Sequence, residues 1–197
     1  MKIRATLLFL VALAAAAVLA SPAAAFTAKV RHADVRGGQI AWYERGEGAP
    51  LVMLIGTGST MAEWDPALLR LLARDHRLVM LDYPGVGESG AWRVPRSFAG
   101  LADDVSSFMS AIGLRNADVL GWSMGGFVAQ QLVIRHPDRV RRLVLAGTNP
   151  GGSHAVLGTR REQAVDSNPD PSLAEILGEL YPPNELGEGF AFAGRLD

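Results

Sequence analysis

The sequence contains no cysteine, and that single absence removes a disulfide framework, a thiolate zinc site and a cysteine nucleophile. Histidine is scarce too: there are 4, and none stands in the paired spacing of a zinc site. An excess of one charge is also missing. The 19 Lys and Arg nearly balance the 20 Asp and Glu, and the basic residues are scattered rather than gathered in a stripe. This pattern excludes the phosphate-neutralising footprint of a nucleic-acid binder. No internal repeat is visible, and no low-complexity segment follows the amino-terminal region. What remains is a chain of 197 residues, 49% hydrophobic, the composition of one soluble globular domain.

The amino terminus speaks about location. Lys2 and Arg4 precede an apolar run from Ala5 to Ala20, Ser21-Pro22 breaks it, and Ala23-Ala24-Ala25 offers small residues to a signal peptidase. The run is shorter than the ~20 residues that span a bilayer, so residues 1–25 read as a cleaved export signal rather than an anchor. Contact with a membrane is then transient, and the mature chain from Phe26 is expected in the periplasm or outside the cell.

Beyond the signal, strand and helix patterns alternate. Lys29 to Asp34 and Gln39 to Glu44 flank Gly37-Gly38 and read as a hairpin. Leu51 to Ile55, Leu78 to Asp82, Ala117 to Gly121 and Arg142 to Gly147 are continuous apolar runs, the mark of strands buried on both faces in a parallel sheet. Asp65-Pro66 forms a helix start, and the following helix runs to about Arg74. Phe98 to Ile112, closed by Gly113, and Met124 to Arg135, closed by His136-Pro137, are two further helices. The order predicts an α/β fold, a mostly parallel sheet flanked by helices with right-handed crossovers.

One stretch carries chemistry. In Gly121-Trp122-Ser123-Met124-Gly125 a serine stands between two glycines where an apolar strand gives way to a helix. A serine hydroxyl becomes a useful nucleophile only when exposed, rigid and beside a base. A sharp strand-to-helix turn supplies the first two conditions, and it crowds the backbone so that positions two before and two after the serine must be small. Gly121 and Gly125 meet that need. The helix start near Met124 also directs free N–H groups to the place where an oxyanion would form.

With "LIGTGST" (Leu54 to Thr60) after the first parallel strand and "DYPGVGES" (Asp82 to Ser89) after the next, the chain resembles the α/β-hydrolase fold superfamily, in its serine esterase and lactonase group. The resemblance runs from about Ala28 to Gly147. It implies Ser123 as nucleophile and an oxyanion hole from the backbone N–H groups of Thr57 and Met124. It implies a core over residues 26–150 and the start of a cap over 151–197. It further implies acyl transfer on a small-molecule carboxylic ester or lactone, through an acyl-enzyme, with no metal or organic cofactor. Ile55 departs from the histidine common there, which bears on loop support. Asp82 reads as a structural tie of its turn, Trp64 as a pocket-lining or core residue, and Trp122 as a shield for the serine.

The same pattern orders the triad as nucleophile, acid, then histidine, and here it runs out. His32, His76 and His136 fall on elements away from the elbow. His154 alone follows the next strand, in a segment that opens the cap, where no strand fixes it. Thr148 and Asn149 hold one position of the acid, while Asp166 and Asp170 lie in a loop before a cap helix, Ser172 to Leu180. Acid and histidine are therefore unassigned, and in family terms the chain stops inside the cap. Three alternatives stand: the amino-terminal portion of a hydrolase, a vestigial non-catalytic protein on the same core, or an enzyme completed by a second polypeptide. A sheet ending at Arg142 to Gly147 would expose an apolar edge, so the chain alone is expected to be poorly soluble or inactive.

Overall fold

The computed structural model describes residues 29–93, 97–156, 158–166, 168, 172–180, 183–187 and 191. The export signal of residues 1–25 and Asp170 lie outside the described residues.

Six strands form one sheet: β1 (Arg31–Val35), β2 (Gly38–Arg45), β3 (Ala49–Leu54), β4 (His76–Leu81), β5 (Ala117–Trp122) and β6 (Val140–Ala146). Their spatial order is β1-β2-β4-β3-β5-β6. The β1–β2 hairpin and the β2–β4 pair are antiparallel, whereas β4, β3, β5 and β6 run parallel. The expected α/β architecture is therefore present. Its functional consequence is that β3, β4 and β5 all deliver their carboxyl ends, and the loops that follow them, to one edge of the sheet.

Helices α1 (Pro66–Leu72), α2 (Phe98–Ala111) and α3 (Met124–Arg135) cover the sheet, and α4 (Arg160–Asp166) and α5 (Leu173–Leu180) follow β6. Local chemistry sets their ends. The Asp65 carboxylate accepts from the amides of Ala67 and Leu68 at 2.7 and 2.8 Å, with Pro66 at the first helical position. Ser97 caps α2 through the Gly100 amide, and His136 closes α3 just before Pro137. Helices α1 and α2 stop a residue or two earlier than the sequence predicts, and β4 opens at His76, two residues before the predicted strand.

Two apolar layers sandwich the sheet. Alternate side chains Val52, Leu54, Val79, Leu81 and Val119 join Phe108, Val105, Val128 and Leu132 under α2 and α3. Met53, Ile55, Leu78 and Met80 join Met61, Trp64 and Leu69 on the α1 face. Central strands are thus buried on both sides, as their continuous apolar runs require. Strand β6 differs. Its Leu143, Val144 and Leu145 are 37%, 51% and 43% exposed, because among the described residues no strand pairs with its outer edge. The reading of Arg142 to Gly147 as a fully buried strand is corrected to an open edge strand, and the exposed apolar edge anticipated for it is present.

Candidate active site

Strand β5 ends at Trp122, helix α3 begins at Met124, and Ser123 alone makes the turn between them. Its backbone stands at φ 52°, ψ −122°, and it is the one non-glycine residue with positive φ among the described residues. An L-residue in that region stores on the order of 1–3 kcal/mol of strain, which persists only where the surroundings impose it. Here they do. The Ser123 amide donates to the Ala146 carbonyl of β6 at 2.9 Å, and the Ser123 carbonyl accepts from the Gly126 amide at 2.8 Å.

Space decides the glycines. A Cβ on Gly121 would stand 2.5 Å from the Gly125 carbonyl oxygen and 2.8 Å from the Ala129 Cβ. One on Gly125 would stand 2.0 Å from the Leu54 carbonyl oxygen. The elbow fits only because α3 starts in direct backbone contact with the ends of β3 and β5, as the spacing of the two glycines predicts.

The loop after β3 passes beside the serine. A Cβ on Gly56 would lie 3.1 Å from the Ser123 Cβ, so Thr57 continues the chain from a residue already touching the nucleophile position. Among the described residues neither the Thr57 nor the Met124 amide N–H has a hydrogen-bond acceptor. A free amide at the helix amino terminus directly after Ser123, and a second on the loop that meets Ser123 at Gly56, are of the kind that can stabilise negative charge on a substrate oxygen. Ile55, at the position where a histidine is common, is buried among the apolar side chains of the α1 face.

The far end of that loop is fastened by two buried side chains. Asp82 Oδ1 accepts from the Met61 amide at 2.6 Å, and the Tyr43 hydroxyl donates to the Met61 carbonyl at 3.0 Å. Asp82 Oδ2 accepts from the Glu88 amide at 2.9 Å, and Ser89 Oγ donates to the Asp82 carbonyl at 2.8 Å. One carboxylate thus joins the loop after β3 to the loop after β4. Burial pushes its pKa up, while the backbone N–H groups of Met61 and Glu88 pull against that rise. Gly87 has φ +51°, and a Cβ there would stand 2.1 Å from Asp82 Oδ2. Burial also pushes the Tyr43 hydroxyl up to about 12, which keeps it a donor. Asp82 is therefore a structural tie. The Tyr43 part of this fastening escapes a reading of the sequence, where only an apolar strand with a tyrosine in it is visible.

The histidines lie elsewhere. His32 Nε2 is 3.2 Å from the Glu88 carbonyl, and His136 Nε2 is 2.8 Å from Asp103 at the end of α3. His76 opens β4 at the amino-terminal end of the parallel strands, the opposite edge of the sheet from Ser123. His154 is exposed in a tight turn, Gly152–His154. Among the described residues no histidine or carboxylate hydrogen-bonds to Ser123, and no group of His, Asp and Glu could hold a metal ion. Thr148 packs against α3, with its Cγ2 2.4 Å from where a Gly126 Cβ would be.

Residues 49–174 match the model of the alpha/beta hydrolase fold family. A protein of Azorhizobium caulinodans named as a candidate carbamate hydrolase is 30% identical over 154 residues, 76% of this chain and 58% of its own length. The pimeloyl-acyl-carrier-protein methyl ester esterase of Aeromonas hydrophila is 36% identical over 106 residues, 53% of this chain and 40% of its own. The N-acyl homoserine lactonase AidH, solved with N-butanoyl homoserine, superposes with a TM-score of 0.65 at 27% identity, over 81% of this chain and 63% of that one. The chain therefore spans about three fifths or less of these relatives. A family match that starts at β3 and runs through the elbow into α5 leaves one conclusion: this chain belongs to the alpha/beta hydrolase fold family.

Proposed function

We propose that Ser123 is the nucleophile of an exported hydrolase acting on a carboxylic ester or lactone through an acyl-enzyme. The observation that carries this reading is the strained turn at φ 52°, which sets Ser123 at the start of α3, with free amides on Met124 and on Thr57 of the loop that passes it. In the step proposed, Ser123 Oγ attacks the substrate carbonyl carbon as a base takes its proton, and the carbonyl oxygen becomes an oxyanion facing the Thr57 and Met124 amides. Collapse expels the alcohol, which receives the proton, and leaves an acyl ester on Ser123. Water then attacks that ester, releases the acid and restores the hydroxyl. Among the described residues no histidine hydrogen-bonds to Ser123. His154, in its exposed turn, is the residue after β6 to test for that role.

The family's esterase and lactonase members support an ester or lactone as the bond cleaved. Export rests on the charge, apolar run and small-residue site of residues 1–25. The assigned division is a hydrolase core over residues 26–150 and an opening cap over 151–197.

The test is a fluorophosphonate probe on the full chain with mass-spectrometric location of the adduct, alongside hydrolysis of a short-chain p-nitrophenyl ester. A single adduct on Ser123, with both reactions abolished in Ser123→Ala, is expected. An adduct on another residue, or hydrolysis that survives Ser123→Ala, overturns the reading. A second reading, a non-catalytic protein on the same core, draws on the lack of any histidine or carboxylate bonded to Ser123 among the described residues. It is favoured if the wild-type chain takes up no probe.

A further inference from the structure

The Trp122 side chain is caught between two backbones. Its Cε3 and Cζ3 lie 3.2 Å from where a Gly56 Cβ would be, and its Nε1 and Cδ1 lie 3.1 and 3.3 Å from the same point on Gly147. Trp64, itself 7% exposed, backs the indole with ring centroids 6.4 Å apart and planes inclined at 56°. The ring therefore spans from the loop after β3 to the residue after β6, on the α1 side of the sheet, with Leu120 two positions earlier on the same face.

Gly56 is the residue this arrangement bears on. With no side chain, it lets the Trp122 ring and the Ser123 Cβ approach one point, 3.2 and 3.1 Å from the Gly56 Cβ position. Its amino-terminal neighbour Ile55 is locked in the apolar layer, and six residues on, Met61 is pinned by Asp82 and Tyr43. Between those anchors Thr57 and Gly58 are exposed, and nothing among the described residues hydrogen-bonds the Thr57 amide. The Trp122 ring is the aromatic surface that meets this stretch at Gly56.

We propose that Trp122 is a positioning residue: its indole sets the height of the Gly56-Thr57 backbone and so aims the Thr57 amide at the oxyanion site of Ser123. The proposal rests on Ser123 being the nucleophile. A flat ring with two rotatable bonds, braced by a second tryptophan, suits this better than an aliphatic chain, which would have rotamers to spare. The serine and the ring that sets its companion loop are consecutive residues. Any movement of the end of β5 then carries nucleophile and oxyanion donor together.

The experiment compares wild type, Trp122→Ala and Trp122→Phe in the full chain by backbone 15N relaxation and by the rate of fluorophosphonate labelling. In Trp122→Ala the order parameter of Thr57 is expected to fall from about 0.85 to below about 0.6, while Val52, Val79 and Val119 in the sheet keep theirs. Labelling of Ser123 slows about a hundredfold, the effect of a misplacement near 1 Å. Trp122→Phe keeps an aromatic face under Gly56 and recovers part of both. A Thr57 amide that stays as ordered in Trp122→Ala as in wild type overturns the proposal. If Trp122→Ala loosens the sheet amides as well, Trp122→Phe decides on the same criterion. A wild-type chain that takes no probe on Ser123 defeats the nucleophile reading, and the relaxation data still decide whether the indole orders Thr57.

Discussion

The Leu54 carbonyl oxygen occupies the space that a side chain on Gly125 would need, 2.0 Å from its Cβ position. Strand β3 and helix α3 are in backbone contact at that point, and neither can retreat without unpairing β3 from β5. Gly125→Ala is therefore expected to cost at least about 1–3 kcal/mol, the range for forced overpacking. The loss would be read as a lower urea midpoint. Gly126→Ala meets Thr148 side-chain atoms rather than backbone and should cost less in the same measurement. Equal losses would show that the backbone contact is not the limiting one.

Tyr43→Phe removes one oxygen from the interior. The Met61 carbonyl then loses the donor 3.0 Å away in a buried setting, at a cost of about 1–3 kcal/mol. Thermal unfolding should fall accordingly. Because the Asp82 bond to the Met61 amide is untouched, the loop keeps one of its two fastenings. A melting temperature equal to wild type would mean that the hydroxyl has no structural role there.

Asp103 links the end of α3 to α2 and gives the protein a dependence on acid. The Arg135 guanidinium, bonded to both its oxygens at 2.9 and 2.7 Å, and then His136 hold its carboxyl down at about 2. Its value in the folded state is thus below the unfolded value of about 3.9, so the carboxylate stabilises the fold at higher pH. That contribution is lost as pH falls from about 4 through about 2. The side chain is 38% exposed, and solvent screening keeps the effect small. Urea unfolding at about pH 5 should separate wild type from Asp103→Asn, and at about pH 2 the two should converge. A constant difference across that window would remove the assignment.

Strand β6 offers its apolar edge to any chain able to pair with it. Val144 is 51% exposed, and a charge placed there should suppress edge-to-edge association. Val144→Lys is expected to scatter less light than wild type as concentration rises, with an unchanged circular dichroism spectrum. Equal scattering would place the association elsewhere.

Much of this fold is legible in the sequence because its signals are local. The Asp65-Pro66 helix start, the Gly113 stop after α2 and Gly121, which meets Gly125 and Ala129, each act within a few residues, and each does what its chemistry dictates. The exposure of β6 is not written in its residues, since an apolar run looks the same whether neighbours cover it or not. The Tyr43 hydroxyl and the Met61 carbonyl are 18 residues apart, and nothing in either segment announces the other. The Trp122 ring is a similar case: beside a serine it reads as a shield, and only the register of β3, β5 and β6 reveals the two glycine backbones against it. Acid and histidine stay unassigned for a different reason, because among the described residues the groups bonded to Ser123 are backbone groups alone.

The hydrogen bond from the Ser123 amide to Ala146 has a mechanical meaning. The elbow leans on β6, which among the described residues has a strand neighbour on one side, and a strand paired on one side breathes more than strands between neighbours. The serine consequently shares whatever motion β6 has, so whatever braces β6 also steadies the hydroxyl.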